Sequence, residues 1–236
     1  MALRNVQLDV PRYEQPDDVS CGPTCLRQVF DFYGDPVSQG ELAQAIPRNP
    51  DGGTLAVFLA IAALARGYAA TIYSYNLRIF DPSWFDLAPA DLLARLVARR
   101  SVVGEPKLIR AIDAYIEFLE HGGAVKFPEL SPKLLVSILE RGHPILVGLS
   151  ATYLYRVPRE RPHDNTYDDI AGEPAGHYVV VNGYERAGKR FSVCDPARDI
   201  PLEGRGHYTV PARRLLNSIL LGDVTYDAVL VEIAPQ

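Results

Sequence analysis

The chain has 236 residues, of which 47% are hydrophobic and 22% are charged, and its 24 Lys and Arg against 29 Asp and Glu give a formal net charge of −5. This composition predicts a globular chain with a substantial core rather than a disordered one. The acidic balance offers no basic face for nucleic-acid phosphates, so we expect no nucleic-acid partner.

Neither a membrane segment nor a disulfide framework is expected. The most apolar run, residues 55–65, has 11 residues, whereas a helix that spans a bilayer needs about 20. Residues 1–5 lack the apolar run of a signal peptide. The three cysteines, Cys21, Cys25 and Cys194, are too few for a secreted disulfide scaffold, and an odd number cannot all pair. We therefore expect a cytoplasmic protein with no membrane partner.

The first part of the chain is predicted to be mainly helical. After an extended segment that reaches Ser20, apolar residues recur at helical spacing until Gly34. The sequence Ser38-Gln-Gly-Glu41 fits a capping box, which predicts the start of a second, short helix. The next predicted elements are the apolar helix at 55–65 and a strand of β-branched and aromatic residues at 70–75.

The later part is predicted to change from helices to strands. Residues 82–130 are predicted to form a helical insertion, and one further helix ends at Leu139. The elements predicted after it are strands at 145–149, 177–184, 190–194 and 226–233 and a helix at 212–220. The irregular stretch 156–175 is long enough to be either a functional lid or a solvated loop. Helices followed by strands are typical of an α+β fold, in which helices face an antiparallel sheet.

Cys21 lies where the extended segment changes to helix, in the sequence Ser20-Cys-Gly-Pro-Thr24. Pro23 suits the first helical turn, because the N–H that it lacks would have no helical partner there. The other first-turn N–H groups and the helix dipole favour the thiolate of Cys21, which is the nucleophilic form. Burial as a small hydrophobic residue is the alternative, and it is the favoured interpretation for Cys25 and Cys194.

A thiolate nucleophile needs a base and proton donor, and His177 is the candidate among five histidines. His177 opens an apolar strand, and Asp195 ends the next one. If these strands pair in antiparallel fashion, the imidazole and the carboxylate become neighbours. Gln15, six residues before Cys21, can fold back and donate to a developing oxyanion, together with the Cys21 backbone N–H.

Three other features leave weaker alternatives. A zinc site from Cys21, Cys25 and a histidine would lack the usual partner cysteine pair. Residues 183–189 superficially fit a phosphate-binding loop, but a strand follows instead of a helix, so a hairpin turn is predicted. Asp17 and Asp18 either contact substrate charge or form a turn.

The sequence motifs together resemble the papain-like cysteine peptidases, and among them the bacterial double-glycine leader peptidases of bacteriocins and their stand-alone relatives. The matching motifs are Gln15, Cys21-Gly-Pro-Thr24, Gly176-His-Tyr-Val-Val-Val-Asn-Gly-Tyr184 and Asp195-Pro196. The resemblance covers about residues 13–80 and 131–200 and leaves the 82–130 insertion unmatched. It implies a papain-like two-lobed fold, with a helical lobe and an antiparallel sheet lobe.

The resemblance also implies the role of each site residue. Cys21 would be the nucleophile and His177 the base and acid. Asp195 would orient the imidazole, and Gln15 would donate to the oxyanion. Because the helical and β-rich parts each supply part of this set, we expect one catalytic domain over residues 1–236.

The expected function is hydrolysis of a peptide or amide bond through an acyl-enzyme on Cys21, with no metal or organic cofactor. One alternative is an acyl or peptidyl transferase that forms amide bonds through the same thioester. A second is a catalytically silent module that only binds peptides. The expected partner is a peptide or peptide-like amide substrate, and the sequence indicates no oligomeric state.

Overall fold

The computed structural model describes residues 3–49, 52–224 and 228–236. Within these ranges, eight strands form one sheet: β1 (Val6–Gln7), β2 (Tyr68–Ser74), β3 (Ala124–Lys126), β4 (Ile145–Ser150), β5 (Gly176–Glu185), β6 (Arg190–Cys194), β7 (His207–Pro211) and β8 (Val229–Pro235). The α-helices are α1 (Cys21–Phe32), α2 (Gln39–Ala45), α3 (Ala56–Ala65), α4 (Pro89–Arg100), α5 (Pro106–Glu120), α6 (Pro132–Leu139), α7 (Ala151–Tyr155) and α8 (Ala212–Leu220). Short 3₁₀ helices lie at Pro82–Trp84 and Leu221–Val224.

The sheet is antiparallel except at one edge. Its strands lie in the order β3-β2-β8-β4-β5-β6-β7, and β1 pairs with β5. The pair of β2 and β3 is parallel, whereas the other pairs are antiparallel. The central strands β4, β5 and β8 are buried along most of their length, because helices cover both faces of the sheet.

Alternating side chains of the sheet contribute to two cores, one on each face. Val180 of β5 belongs to the core that α1, α3 and α5 complete, whereas Val179 and Val181 belong to the core of α6 and α8. This alternation follows from the two-residue period of a β-strand. The thiol of Cys25 donates to the carbonyl oxygen of Tyr178 at 3.2 Å. The beginning of α1 therefore lies beside the beginning of β5.

The α+β prediction is confirmed, and the longer elements are present where the sequence places them. The capping box of α2 is formed: Ser38 Oγ accepts from the Glu41 N–H at 3.2 Å, and the Glu41 carboxylate accepts from the Ser38 N–H at 2.9 Å. The helix at 212–220 and the strand at 190–194 have the predicted bounds, and 183–189 include the hairpin turn between β5 and β6. Among the described residues, no helix combines the length and apolarity that a membrane crossing requires.

Several short elements differ from the prediction. The sequence does not predict β1, β3, β7 or α7, which have two to five residues each. Because β3 lies inside residues 82–130 and pairs with β2, the prediction of a purely helical insertion is wrong at this point. The strand predicted at 226–233 is observed as β8, at Val229–Pro235, and residues 226 and 227 lie outside the described residues.

Leu26 is fully buried in the core between α1 and the sheet. The substitution Leu26→Ala removes buried methyl groups and leaves a cavity, so we expect the free energy of unfolding to fall by about 2–5 kcal/mol. Leu77→Ala is the matched control, because Leu77 is 62% exposed. Its truncation is expected to change that free energy by about 0.5 kcal/mol or less. Urea unfolding followed by circular dichroism measures both values, and equal losses would contradict the packing of α1.

Candidate active site

Cys21 is the first residue of α1 and is partly exposed. The side chain of the preceding residue, Ser20, makes no capping hydrogen bond to the helix. The backbone N–H groups of Gly22 and Tyr178 lie near enough to the Cys21 sulfur to lower its pKa. An N–H-rich helix terminus stabilises negative charge, so the position of Cys21 favours the thiolate.

The residue after Cys21 has no room for a side chain. A Cβ atom on Gly22 would lie 2.9 Å from Thr54 Cγ2, 3.1 Å from Leu59 Cδ1 and 3.2 Å from Tyr178 Cδ2. The glycine therefore allows the first turn of α1 to approach both α3 and β5 closely. This approach holds Cys21 beside the start of β5.

The pairing of β5 with β6 brings His177 and Asp195 together. Val180 is opposite Cys194 in the antiparallel register, so residues just outside this pair meet at the same edge of the two strands. His177 Nε2 donates to Asp195 Oδ1 at 2.9 Å, and the two side chains are 9% and 0% exposed. The other ring nitrogen, Nδ1, is then left to face Cys21, whose pKa His177 lowers.

Burial opposes charge on all three side chains, but their mutual contacts outweigh it. Burial alone would lower the pKa of His177, yet the charge and hydrogen bond of Asp195 and the hydrogen bond with Cys21 raise it to about 10. Burial would raise the pKa of Cys21, yet the hydrogen bond and charge of His177 bring it below its usual value. Burial also opposes ionisation of Asp195, whose pKa is nevertheless lowered, chiefly by the charge of His177. The site therefore favours a thiolate and imidazolium pair beside a carboxylate.

Four hydrogen-bond donors surround the Asp195 carboxylate. Oδ1 accepts from His177 Nε2 and from the backbone N–H of Ala197, both at 2.9 Å. Oδ2 accepts from the hydroxyls of Tyr155 at 2.6 Å and Tyr208 at 2.5 Å. Sequence reasoning missed both tyrosines. The sequence of β7 alternates between polar and apolar residues, as its burial does, and this alternation could have located Tyr208. Tyr155 carries no local signal.

Gln15 is buried beside the loop that follows β6. Its backbone N–H donates to the Pro196 carbonyl oxygen at 2.8 Å, and its own carbonyl oxygen accepts from Arg198 Nε at 2.9 Å. Its side-chain Nε2 donates to the Asp17 carbonyl oxygen at 2.8 Å, which occupies one of two N–H bonds. Its Oε1 is buried and has no hydrogen-bond partner among the described residues. The structure thus ties Gln15 to the Asp195 loop.

Asp17 forms a turn, whereas Asp18 contacts the loop at 156–175. Asp17 Oδ1 accepts from Ser20 Oγ at 2.5 Å, and this hydrogen bond lowers the pKa of Asp17. The turn alternative is therefore correct for Asp17. Asp18 Oδ2 accepts from Asn165 Nδ2 at 3.1 Å. The long loop thus reaches across to the segment that precedes the cysteine.

The other two cysteines are fully buried, as predicted. Burial raises the pKa of Cys25 well above its usual value and that of Cys194 to about 12. Gln28 Nε2 lies 2.9 Å from the Cys194 sulfur. Both residues are neutral thiols in packed surroundings, unlike Cys21. Within the described ranges, no group of three or more His, Cys, Asp or Glu residues is arranged to hold a metal ion.

A protein-family model matches most of the chain. The model of the Peptidase_C39 like family matches residues 7–88 and 113–217. These ranges contain all four candidate site residues. The part between them, residues 89–112, comprises α4 and the first half of α5, so the unmatched segment is shorter than the predicted 82–130 insertion.

Three solved structures resemble the fold at low identity. A double glycine motif protease from an AMS/PCAT transporter, in complex with the leader peptide, has 15% identity over 98% of each chain and a TM-score of 0.46. The peptidase domain of Streptococcus ComA, a bifunctional ABC transporter of a quorum-sensing pathway, has 16% identity over 97% of this chain and 100% of that chain, with a TM-score of 0.47. Xylellain, a cysteine protease from Xylella fastidiosa, has 13% identity over 100% of this chain and 87% of that chain, with a TM-score of 0.47. Such distant likenesses assign neither a residue nor a substrate. No curated protein matches the chain significantly.

The close packing around Gly22 can be tested by adding one methyl group. Gly22→Ala is expected to lower the free energy of unfolding by about 1–3 kcal/mol, since overpacking forces its neighbours to move. Gly40→Ala in α2 is the matched control, because the nearest atom to its added Cβ is 4.0 Å away. It is expected to be neutral or to stabilise the chain by up to about 1 kcal/mol, as alanine favours helix. Urea unfolding measures both, and equal effects would contradict the close contact at Gly22.

The opposite pKa shifts of the cysteines predict selective alkylation. Iodoacetamide at pH 6.5 is expected to modify Cys21 first, because its pKa is lowered while those of Cys25 and Cys194 are raised. His177→Ala removes the cation that stabilises the thiolate and is expected to slow the reaction about tenfold or more.

Intact mass and peptide mapping measure the rate at each cysteine. His121→Ala is the control, because His121 is exposed and its ring contacts the Glu117 carbonyl oxygen. An unchanged rate in His177→Ala would contradict the ion pair.

Proposed function

The chain belongs to the Peptidase_C39 like family of cysteine peptidases, and we propose that it hydrolyses a peptide or amide bond through an acyl-enzyme on Cys21. The observation that carries the proposal is the 2.9 Å hydrogen bond from His177 to the buried Asp195, beside a cysteine with a lowered pKa. A cysteine that serves packing alone has a raised pKa instead, as Cys25 does.

In the proposed acylation step, the Cys21 thiolate attacks the carbonyl carbon of the substrate. The carbon–sulfur bond forms and the carbonyl π electrons move to oxygen, which gives a tetrahedral intermediate. As this intermediate collapses, the carbon–nitrogen bond breaks and His177 gives its proton to the leaving amine. The products of the step are a thioester on Cys21 and a neutral imidazole.

Water then takes the place of the amine. The neutral His177 accepts a proton from water as the oxygen attacks the thioester carbon. The carbon–sulfur bond breaks, a carboxylic acid leaves, and the thiolate and imidazolium pair is restored. No electron transfer or external reductant enters either step.

Asp195 and Gln15 support these steps without changing covalently. Asp195 accepts from Nε2 of His177, so Nδ1 faces the sulfur and the imidazolium gains a counter-charge. Gln15 Nε2 retains one N–H beyond its bond to the Asp17 carbonyl oxygen. We assign that N–H, together with the Cys21 backbone N–H, to the oxyanion.

A pocket of about 670 Å³ lies beside the Gln15 segment. Its walls mix charged and apolar groups, including Arg12, Tyr167, Arg198 and Leu202. Arg12 and Arg198 also donate to the backbone carbonyl oxygens of Asp195 and Gln15, whereas Cys21, His177 and the Asp195 side chain do not line the pocket. A bacterial, cytoplasmic setting and a single catalytic domain over 1–236 complete the proposal, and three free cysteines suit a reducing compartment.

Cleavage of a peptide library tests the proposal. The purified chain is incubated with a proteome-derived library, and new peptide ends are identified by mass spectrometry. Cys21→Ala and His177→Ala are each expected to lower kcat/KM by about a thousandfold or more. Cys25→Ala is the matched control, since Cys25 is buried away from solvent, and it is expected to cleave the same bonds.

Two results would replace the hydrolase assignment. If added amines give only ligated products, the thioester passes to an amine and the chain is a transferase. If peptides bind but neither the wild type nor the control cleaves them, a binding module is the better description. Cleavage that persists in Cys21→Ala would contradict the nucleophile itself.

A further inference from the structure

Asp195 has a second set of contacts that the proposed reaction does not use. Its Oδ2 atom accepts from two tyrosine hydroxyls, Tyr155 at 2.6 Å and Tyr208 at 2.5 Å. Because an ionised carboxylate only accepts hydrogen bonds, each phenol must be the donor. Two donors on one oxygen of a fully buried carboxylate form a specific arrangement rather than a chance surface contact.

The two hydroxyls come from separate elements. Tyr155 is the last residue of α7, and Tyr208 belongs to β7, which pairs with β6. The ring of Tyr155 also lies beside that of His177, with centroids 6.2 Å apart. Burial, followed by the charge of Asp195, raises the pKa of both tyrosines far above the usual value, so both stay protonated donors.

Neutral donors suit this position better than a cation would. A lysine or arginine on Oδ2 would stabilise the anion but would also compete with His177 for its charge. Phenol hydroxyls lower the proton affinity of the carboxylate while leaving its net charge for the imidazolium. They also occupy Oδ2, so that rotation of the carboxyl group would break two hydrogen bonds.

We propose that Tyr155 and Tyr208 are positioning residues, whose hydroxyls keep the Asp195 carboxylate ionised and turned toward the imidazole. The inference rests on the proposed function, because the readiness of the Cys21 thiolate depends on the imidazolium that Asp195 stabilises. Neither tyrosine is expected to touch the substrate carbonyl. Their loss therefore affects the pH at which the site becomes active rather than the identity of the cleaved bond.

The test uses Tyr155→Phe, Tyr208→Phe and the double variant in the full chain. Each change removes one donor to a charged group, so Asp195 is protonated at a higher pH. The acid limb of the Cys21 alkylation profile is then expected to move up by about one pH unit for each single variant and about two for the double. Cleavage of a library peptide, followed as kcat/KM against pH, is expected to show the same displacement.

Tyr73→Phe is the matched control, because the Tyr73 hydroxyl donates to another buried carboxylate, Glu232, at 2.6 Å. Its strand, β2, is separated from β5 by β8 and β4. This variant is expected to lose thermal stability to a similar extent and to keep the wild-type alkylation profile. If the alkylation profile moves in the Tyr155 and Tyr208 variants but not in Tyr73→Phe, the effect is one of positioning and not of general stabilisation.

A double variant that loses thermal stability but alkylates with the wild-type profile would overturn the inference, since the hydroxyls would then be structural only. If the double variant does not fold, Tyr155→Phe carries the test alone, and an unmoved acid limb overturns the inference. If the wild type cleaves no peptide but the alkylation profile moves as expected, the peptidase proposal fails. The positioning role at Asp195 then stands as a property of the cysteine site.

Discussion

A carboxylate removed from water stays ionised only when donors surround it, and the rest of the site depends on meeting this condition at Asp195. The imidazole on β5, the hydroxyls on α7 and β7 and one backbone N–H supply the donors. Arg12 of the N-terminal segment fixes the residue from behind, through its carbonyl oxygen at 3.0 Å. A slip of one residue between β5 and β6 would turn the carboxylate to the other face of the sheet. The contacts of Asp195 therefore require this one register of β5 and β6.

Local pattern predicts an element in proportion to its length. α1, with 12 residues, and β5, with 10, contain enough patterned apolar residues to be recognised from the sequence alone, and α2 carries its own capping box. In contrast, β1, β3 and β7 have five residues or fewer. They exist because they pair with β5, β2 and β6. Their stability comes from tertiary pairing, which β-propensity records poorly, and this is why the helical insertion contains an unpredicted strand.

The residues of the candidate site also differ in how well the sequence locates them. Cys21, His177 and Asp195 stand at a helix start, a strand start and a strand end, so the sequence marks each position. Gln15 is marked only by its amide and its spacing of six residues to Cys21, and the resemblance implies the same role. Tyr155 has no such mark, and Tyr208 has only the alternation of β7, because a phenol becomes a donor to Asp195 only after α7 and β7 have reached their places. Sequence reasoning thus located the proposed reacting groups and missed the groups that hold them.

The loop at 156–175 is attached to the rest of the site at three points, and these attachments limit where the loop can accept inserted residues. It begins directly after Tyr155 and ends directly before the strand that carries His177. Near its middle, Asn165 donates to Asp18, in the segment before Cys21. An added residue at either end would displace a group that contacts Asp195, whereas the stretch around Ile170, which is 85% exposed, carries no such contact. Length variation and grafted epitopes or tags therefore belong in the stretch around Ile170, and the two ends of the loop form part of the framework around Asp195.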